Sequence, residues 1–341
     1  MRVAMYYNNN DVRLEEMPTP KIGHGELLVK VIASGICGSD VMEWYRVKKA
    51  PLVLGHEIAG DIVEVGRGVR QFKNGDRVFV SHHVPCNSCK YCLAGHHTVC
   101  DTLRTTNYDP GGFAEFIRVP AINVEHGVFQ LPDEMSYEDG VFIEPLGCVG
   151  RGQDLAMIEP GQTVLVIGSG ITGLLHIKLA KAAKAKCIIA TDMVEYRLNA
   201  AEDFGADATM RGDEDVPARV IELNGGEKPD VVIICTGAPK AIEQGLNSVD
   251  RGGTVLFFAP TDPGRAIPIP FNELWREEIK MVSSYGAAPE DIETAIELIS
   301  SGMVRVNEMV THRLGLADTG KGFRLVAEAK ESIKVIVEPQ K

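Results

Sequence analysis

The sequence contains no long hydrophobic run. Among its 341 residues no apolar stretch approaches the roughly 20 that a bilayer-spanning helix needs, so no membrane partner is expected. It also lacks an excess of positive charge. Its 35 Lys and Arg are outnumbered by 47 Asp and Glu, for a net charge of −12, whereas affinity for nucleic acid rests on cations that neutralise phosphates. That balance argues against a nucleic-acid partner, and the acidity reads as a solubility feature. Repeats and low-complexity segments are absent. Met1–Tyr7 is too short, and the chain beyond Tyr7 too polar, for a secretory signal, which makes the cytoplasm the expected compartment.

What is present is an ordinary globular composition, 45% hydrophobic and 24% charged, with length enough for two domains. The two halves differ in pattern. Up to about residue 145, short β-rich runs (Leu27–Ala33, Ile58–Val65, Asp76–Val80, Phe113–Val119) alternate with Gly and Pro, which indicates a bent β domain. Beyond residue 147, apolar strands at Thr163–Ile167, Cys187–Thr191, Val231–Cys235 and Thr254–Phe258 alternate with helical stretches at Ile171–Lys184, Glu195–Phe204 and Lys240–Val249. Buried strands alternating with amphipathic helices indicate a parallel sheet covered on both faces, which Val282–Ser284 would close. The tail, with a helix near Pro289–Ser301 and a strand at Lys334–Val337, is too short for a core of its own and is expected to return to the β domain.

Gly168-Ser169-Gly170-Ile171-Thr172-Gly173 follows a buried strand and opens a helix, and Asp192 ends the next strand. In that context a GxGxxG run is a dinucleotide turn. Gly168 permits the turn, Gly170 lets backbone approach the pyrophosphate, Gly173 allows close helix–sheet packing, and the helix N-terminus offers N–H groups to phosphate. Ile171, Thr172 and Thr236 complete the cofactor candidates. Asp192 would bind ribose hydroxyls and repel a 2′-phosphate, which selects NAD. Arg197, five residues on, speaks the other way, since a nearby Arg could accommodate such a phosphate.

The eight cysteines are unevenly placed. Cys86, Cys89, Cys92 and Cys100 fall within fifteen residues, and four thiolates at this spacing fill a tetrahedral zinc and leave no open position, the signature of a structural site. A second group is scattered: Cys37-Gly38-Ser39-Asp40, then Gly55-His56-Glu57, then Glu144-Pro145. Together these offer sulfur, nitrogen and oxygen donors, as a catalytic zinc with one open position requires.

The combination of Cys-Gly-Ser-Asp, Gly-His-Glu, the four-cysteine lobe, Glu144-Pro145-Leu146, the glycine turn and Val310-Thr311-His312-Arg313 resembles the zinc-containing medium-chain alcohol dehydrogenases, in their sorbitol/polyol and threonine dehydrogenase branch. The resemblance implies an α/β protein: a GroES-like β-rich catalytic domain (1–146 and 284–341, with a zinc lobe at 82–107) and a Rossmann NAD-binding domain (147–283), with the active site between them. It implies two zinc ions per chain, and a homo-oligomer, dimer or tetramer. Cys37 and His56 would be ligands of the catalytic zinc, with Glu144 or Glu57 the carboxylate ligand. Ser39 would take the alcohol proton. Many relatives carry a His three residues beyond that Ser to pass the proton on, and this chain has Met42 there, which carries none.

A secondary alcohol or polyol is the expected substrate, with Trp44 and Tyr285 as pocket walls and Glu43, if inward, favouring hydroxyl-rich or cationic substrates over phosphates or carboxylates. Sorbitol-type relatives carry His-Tyr-Trp where this chain has Met42-Glu43-Trp44, and often Arg-Tyr where it has Ser284-Tyr285, which weakens the case for sorbitol itself. His82 and His83 are read either as substrate contacts or as a solvated loop. An L-threonine or amino-alcohol dehydrogenase is the alternative within enzymes. A non-catalytic dinucleotide-binding protein is the alternative outside them, one that has no use for Cys37, His56 and Glu144 together.

Overall fold

The computed structural model describes all 341 residues, which divide into two compact units. One comprises Met1–Gly147 and Ala287–Lys341, the other Cys148–Gly286. No helix is long and apolar enough to cross a membrane.

The first unit is built on a seven-stranded sheet whose central strand, Leu27–Ile36, pairs antiparallel with Glu57–Val65 and, at its other edge, with Lys334–Glu338 and Phe116–Val119. Period-two patterning decides the register. Leu27, Val29 and Val31 turn one face into a core with Ile58, Ile62, Val78 and Val80. A smaller three-stranded sheet holds the N-terminal hairpin Arg2–Asn8/Asp11–Glu16 and contributes Val3 and Tyr6 to a second core closed by Phe113 and Phe323. The last strand, Lys334–Glu338, thus lies beside a strand formed three hundred residues earlier, and it carries a completely buried lysine, Lys334.

The second unit is an all-parallel six-stranded sheet in the order Ala208–Arg211, Cys187–Asp192, Thr163–Ile167, Val231–Ile234, Thr254–Phe257, Lys280–Ser283. This 3-2-1-4-5-6 order is the Rossmann winding, and its switch point falls between Thr163–Ile167 and Val231–Ile234, where ligands bind at the strands' carboxyl ends. Every residue of Thr163–Ile167 is buried, as a central parallel strand requires.

Candidate active site

Strand register assembles the first cluster. Gly35 lies opposite Glu57 in the antiparallel pair, so the residues just past each strand end, Cys37 and His56, emerge side by side. One donor atom each from Cys37, His56 and Glu57 lies within 4.8 Å of the others. Gly35 is required by this arrangement: a Cβ there would stand 2.2 Å from Glu57 Oε2, 2.6 Å from Val141 Cγ1 and 2.8 Å from Lys334 Cε. The space it leaves is filled by a buried ion pair between Lys334 Nζ and Glu57 Oε2. The Lys334 ammonium also faces the Phe142 ring at 5.6 Å.

Behind His56 stands Asp40, fully buried, with Oδ1 3.3 Å from His56 Nδ1 and Oδ2 accepting the Cys37 N–H at 3.1 Å. A carboxylate on one ring nitrogen fixes the imidazole and leaves the other, Nε2, for a metal. Burial alone would depress the His56 pKa, but the Asp40 carboxylate and the Cys37 sulfur outweigh it and hold it well above its ordinary value. Burial likewise pushes the Asp40 carboxyl up, and His56 and Arg46 pull it further down, so it stays ionised. A sulfur, an imidazole held from behind and a carboxylate, all converging, fit a catalytic zinc.

The four-cysteine lobe is a different kind of site. Cys89 Sγ is 3.5 Å from Cys92 Sγ, and Cys100 Sγ 3.6 Å from Cys86 Sγ, with all four sulfurs within 4.8 Å. Sulfurs on a tetrahedral zinc lie about 3.8 Å apart, and a disulfide would bring two to about 2 Å; none of the eight cysteines forms a disulfide. Cys92, Cys100 and Leu103 form an apolar cluster in the lobe, flanked by Cys86 and Cys89, so the sulfurs are themselves part of its core.

In the second unit Gly168 has φ +95°, and a Cβ on Gly173 would stand 1.9 Å from the Gly168 carbonyl. These two glycines let the helix Ile171–Ala182 start hard against the strand. A Cβ on Gly170 would meet nothing nearer than Arg197 Nη1 at 3.8 Å, which leaves the approach open for a phosphate. Thr236 lies across the switch point, its Cβ 3.6 Å from where a Cβ on Gly168 would stand. Asp192 accepts the Ser169 and Val194 N–H groups at 2.8 and 3.0 Å, and Arg197 Nη1 lies 3.9 Å from its Oδ2.

Residues 23–133 match the alcohol dehydrogenase GroES-like domain, and residues 172–301 the zinc-binding dehydrogenase family. The chain is 33% identical to a sorbitol dehydrogenase of Bacillus subtilis (strain 168), over 100% of this chain and 98% of that protein. It is 35% identical to an L-threonine 3-dehydrogenase of Pyrococcus furiosus, over 94% and 91% respectively. Its fold superimposes with a TM-score of 0.88 on a zinc-binding dehydrogenase from Sinorhizobium meliloti 1021 bound to NADP, at 29% identity and 99% coverage of both chains. The chain belongs to the zinc-dependent medium-chain alcohol dehydrogenases. Within that family it sides with the sorbitol and threonine dehydrogenases.

In this dehydrogenase the metal-type cluster takes Glu57; Glu144, in the first turn of the helix Ile143–Ala156, is not one of its three members. Ser39 donates its N–H to Cys37 Sγ at 3.4 Å, and its Oγ accepts from Arg46 Nη2 at 3.1 Å. Glu43 does not turn inward. Its Oε1 accepts the Asn9 N–H at 3.1 Å, because the N-terminal hairpin offers an unpaired donor just outside the loop. Trp44 packs on Tyr45 with ring centroids 5.8 Å apart, and Tyr285 follows the strand Lys280–Ser283 with 54% of its surface exposed. His82 and His83 are no solvated loop: the rings stack at 3.8 Å, and His82 lies 4.9 Å from His56. Burial depresses both, His83 to about 4, so both are neutral imidazoles at pH 7.

Three side chains of this neighbourhood escape a reading of the sequence. Asp40 is visible in its motif but carries no role there. Arg46 has no signal at all. Lys334 has one, a lone charge inside the apolar run Ile333–Val337, since a buried lysine demands a partner.

Proposed function

We propose that this dehydrogenase oxidises a secondary alcohol or polyol with NAD, its catalytic zinc held by Cys37, His56 and a carboxylate, Glu57 before Glu144. Cys86, Cys89, Cys92 and Cys100 would hold a second, structural zinc. The observation that carries the reading is the convergence of Cys37, His56 and Glu57 donors within 4.8 Å, with Asp40 behind the imidazole. Zinc and NAD, when bound, supply a Lewis acid that lowers an alcohol's pKa and an acceptor for its hydride. The chain's own residues orient the metal ligands and the substrate and take up its hydroxyl proton. Asp40 holds the His56 ring, and Ser39 Oγ, two residues from Cys37, is the hydroxyl placed to receive a substrate proton as it passes its own hydrogen outward to water. His82 and His83, neutral and beside His56, are available to hydrogen-bond further hydroxyls. Asp192, already aimed by two backbone N–H groups, would take the ribose hydroxyls and repel a 2′-phosphate, which supports NAD over NADP.

An amino alcohol such as L-threonine is the second reading. With Glu43 turned outward and Asp40 engaged by His56 and Arg46, neither carboxylate of that loop is turned to oppose an anionic substrate, and the charges of Arg46 and Lys49 both reach His83. The edge strand Lys280–Ser283 is flanked by exposed Phe271 and Trp275, each 68% accessible, which supports a homo-oligomer that covers them. Eight cysteines with no disulfide among them suit the cytoplasm.

NAD reduction across a panel of polyols, secondary alcohols and L-threonine tests the substrate class. The highest kcat/KM is expected for a polyol or secondary diol; a clear preference for L-threonine would replace this reading with the second.

A further inference from the structure

The loop that follows Cys37 is tied together by one side chain, Arg46. Its Nε donates to the Ser39 carbonyl at 2.9 Å and its Nη2 to Ser39 Oγ at 3.1 Å, and Nη2 stands 3.6 Å from Oδ1 of the buried Asp40. The Arg46 side chain is 15% exposed and lies over the Tyr45 ring at 4.6 Å. It therefore has one well-defined place.

The chemistry of the contact is one-directional. A guanidinium only donates and keeps its proton throughout the working range of an enzyme. A serine hydroxyl has one hydrogen and two lone pairs, so accepting from Nη2 occupies one lone pair and turns the hydrogen away from Arg46. Nothing else in the loop does this: Met42 has no polar hydrogen, and Glu43 is engaged by Asn9. Lysine in place of Arg46 would offer a point charge and lose the fork that grips the carbonyl and hydroxyl of one residue together.

We propose that Arg46 is a positioning residue for the alcohol oxidation, fixing the Ser39 hydroxyl in the single orientation in which it meets the substrate's hydroxyl. The inference rests on the reading that Ser39 touches the substrate. Arg46 itself neither touches the substrate nor carries a proton, and it acts only through Ser39.

The experiment uses zinc-saturated enzyme with zinc per chain and thermal midpoint measured on every variant: Ser39→Ala, Arg46→Ala, Arg46→Lys and the Ser39→Ala/Arg46→Ala pair. Arg46→Ala is expected to lower kcat by about tenfold or more, as loss of an oriented proton-transfer group does, with KM less affected and zinc retained. Millimolar guanidinium, and not equal sodium chloride, should restore part of that loss. In the Ser39→Ala background the second substitution should cost nothing further in kcat, because the two residues act as one unit. Should Arg46→Ala fail to fold, Arg46→Lys gives the same reading, with kcat lowered and zinc kept.

A native kcat in the Arg46 variants overturns the proposal. So does a loss that adds to that of Ser39→Ala, or one that added zinc alone repairs, since the latter would place the role of Arg46 in the Asp40–His56 pair. Ser39→Ala at native rate instead removes the reading of Ser39 itself, and this proposal with it.

Discussion

Asp40 divides its two oxygens between the His56 ring and the Cys37 backbone, so one buried carboxylate holds two neighbouring metal donors in place. Asp40→Asn should weaken zinc binding at this site by about 10- to 100-fold, measured by competition with a chromophoric chelator; unchanged affinity would leave Asp40 a mere packing group. Lys334 and Glu57 are 0% and 1% exposed, and breaking such a pair from one side strands the other charge. Lys334→Met is expected to lower unfolding free energy by about 3–5 kcal/mol, with Glu57→Gln in the same chain recovering most of it, as read by urea titration. His176 offers a pH test. Burial against Phe258 and Gln153 holds its pKa down at about 3, below the ordinary value near 6.5. Between those values the unfolded chain binds a proton that the folded one refuses, so stability is full above pH 6.5 and falls as pH drops towards 3. From pH 7.5 to 5 the loss is about 2 kcal/mol, and His176→Leu should flatten it. Asp192→Ser should raise kcat/KM with NADP relative to NAD; a native preference would relieve Asp192 of that role.

At the scale of elements, the zinc lobe is the most dependent part of the molecule. Its apolar cluster consists of cysteines and Leu103, so removing metal by chelation should leave this segment protease-sensitive while the rest of the chain persists. Limited proteolysis with and without chelator, mapped by mass, checks it; cleavage spread over the whole chain would contradict it. Much of the surrounding architecture is legible in the sequence, for reasons that differ by element. Thr163–Ile167 and Glu195–Phe204 match the structure end to end, since one is wholly buried and the other is bounded by a left-handed Gly205. Phe113–Val119 reads as one strand, yet only Phe116–Val119 is. The hydrogen bonds of Phe113 go instead to Leu54 and Ala4. The helix Ile143–Ala156 has no such signal, because Pro145 and its three glycines speak for a loop and only tertiary packing overrides them. Among the site residues, Cys37 and His56 are readable from their motifs. The roles of Arg46 and Lys334 are not, because each depends on a partner seven and 277 residues away.

For the whole molecule, the account requires one unit to hold metal and the other to hold the dinucleotide, each with its own core and its own local logic. Their joint presence separates an enzyme from a protein that merely binds a nucleotide. The most direct measurement is zinc per chain, by elemental analysis, on the native protein and on His56→Ala, each assayed for NAD-linked alcohol oxidation. Two zinc ions in the native chain, falling to one in the variant together with loss of turnover, is the result expected. A His56→Ala chain that keeps both zinc ions, or that oxidises alcohol at the native rate, would contradict the assignment of the Cys37–His56–Glu57 cluster as the catalytic metal centre.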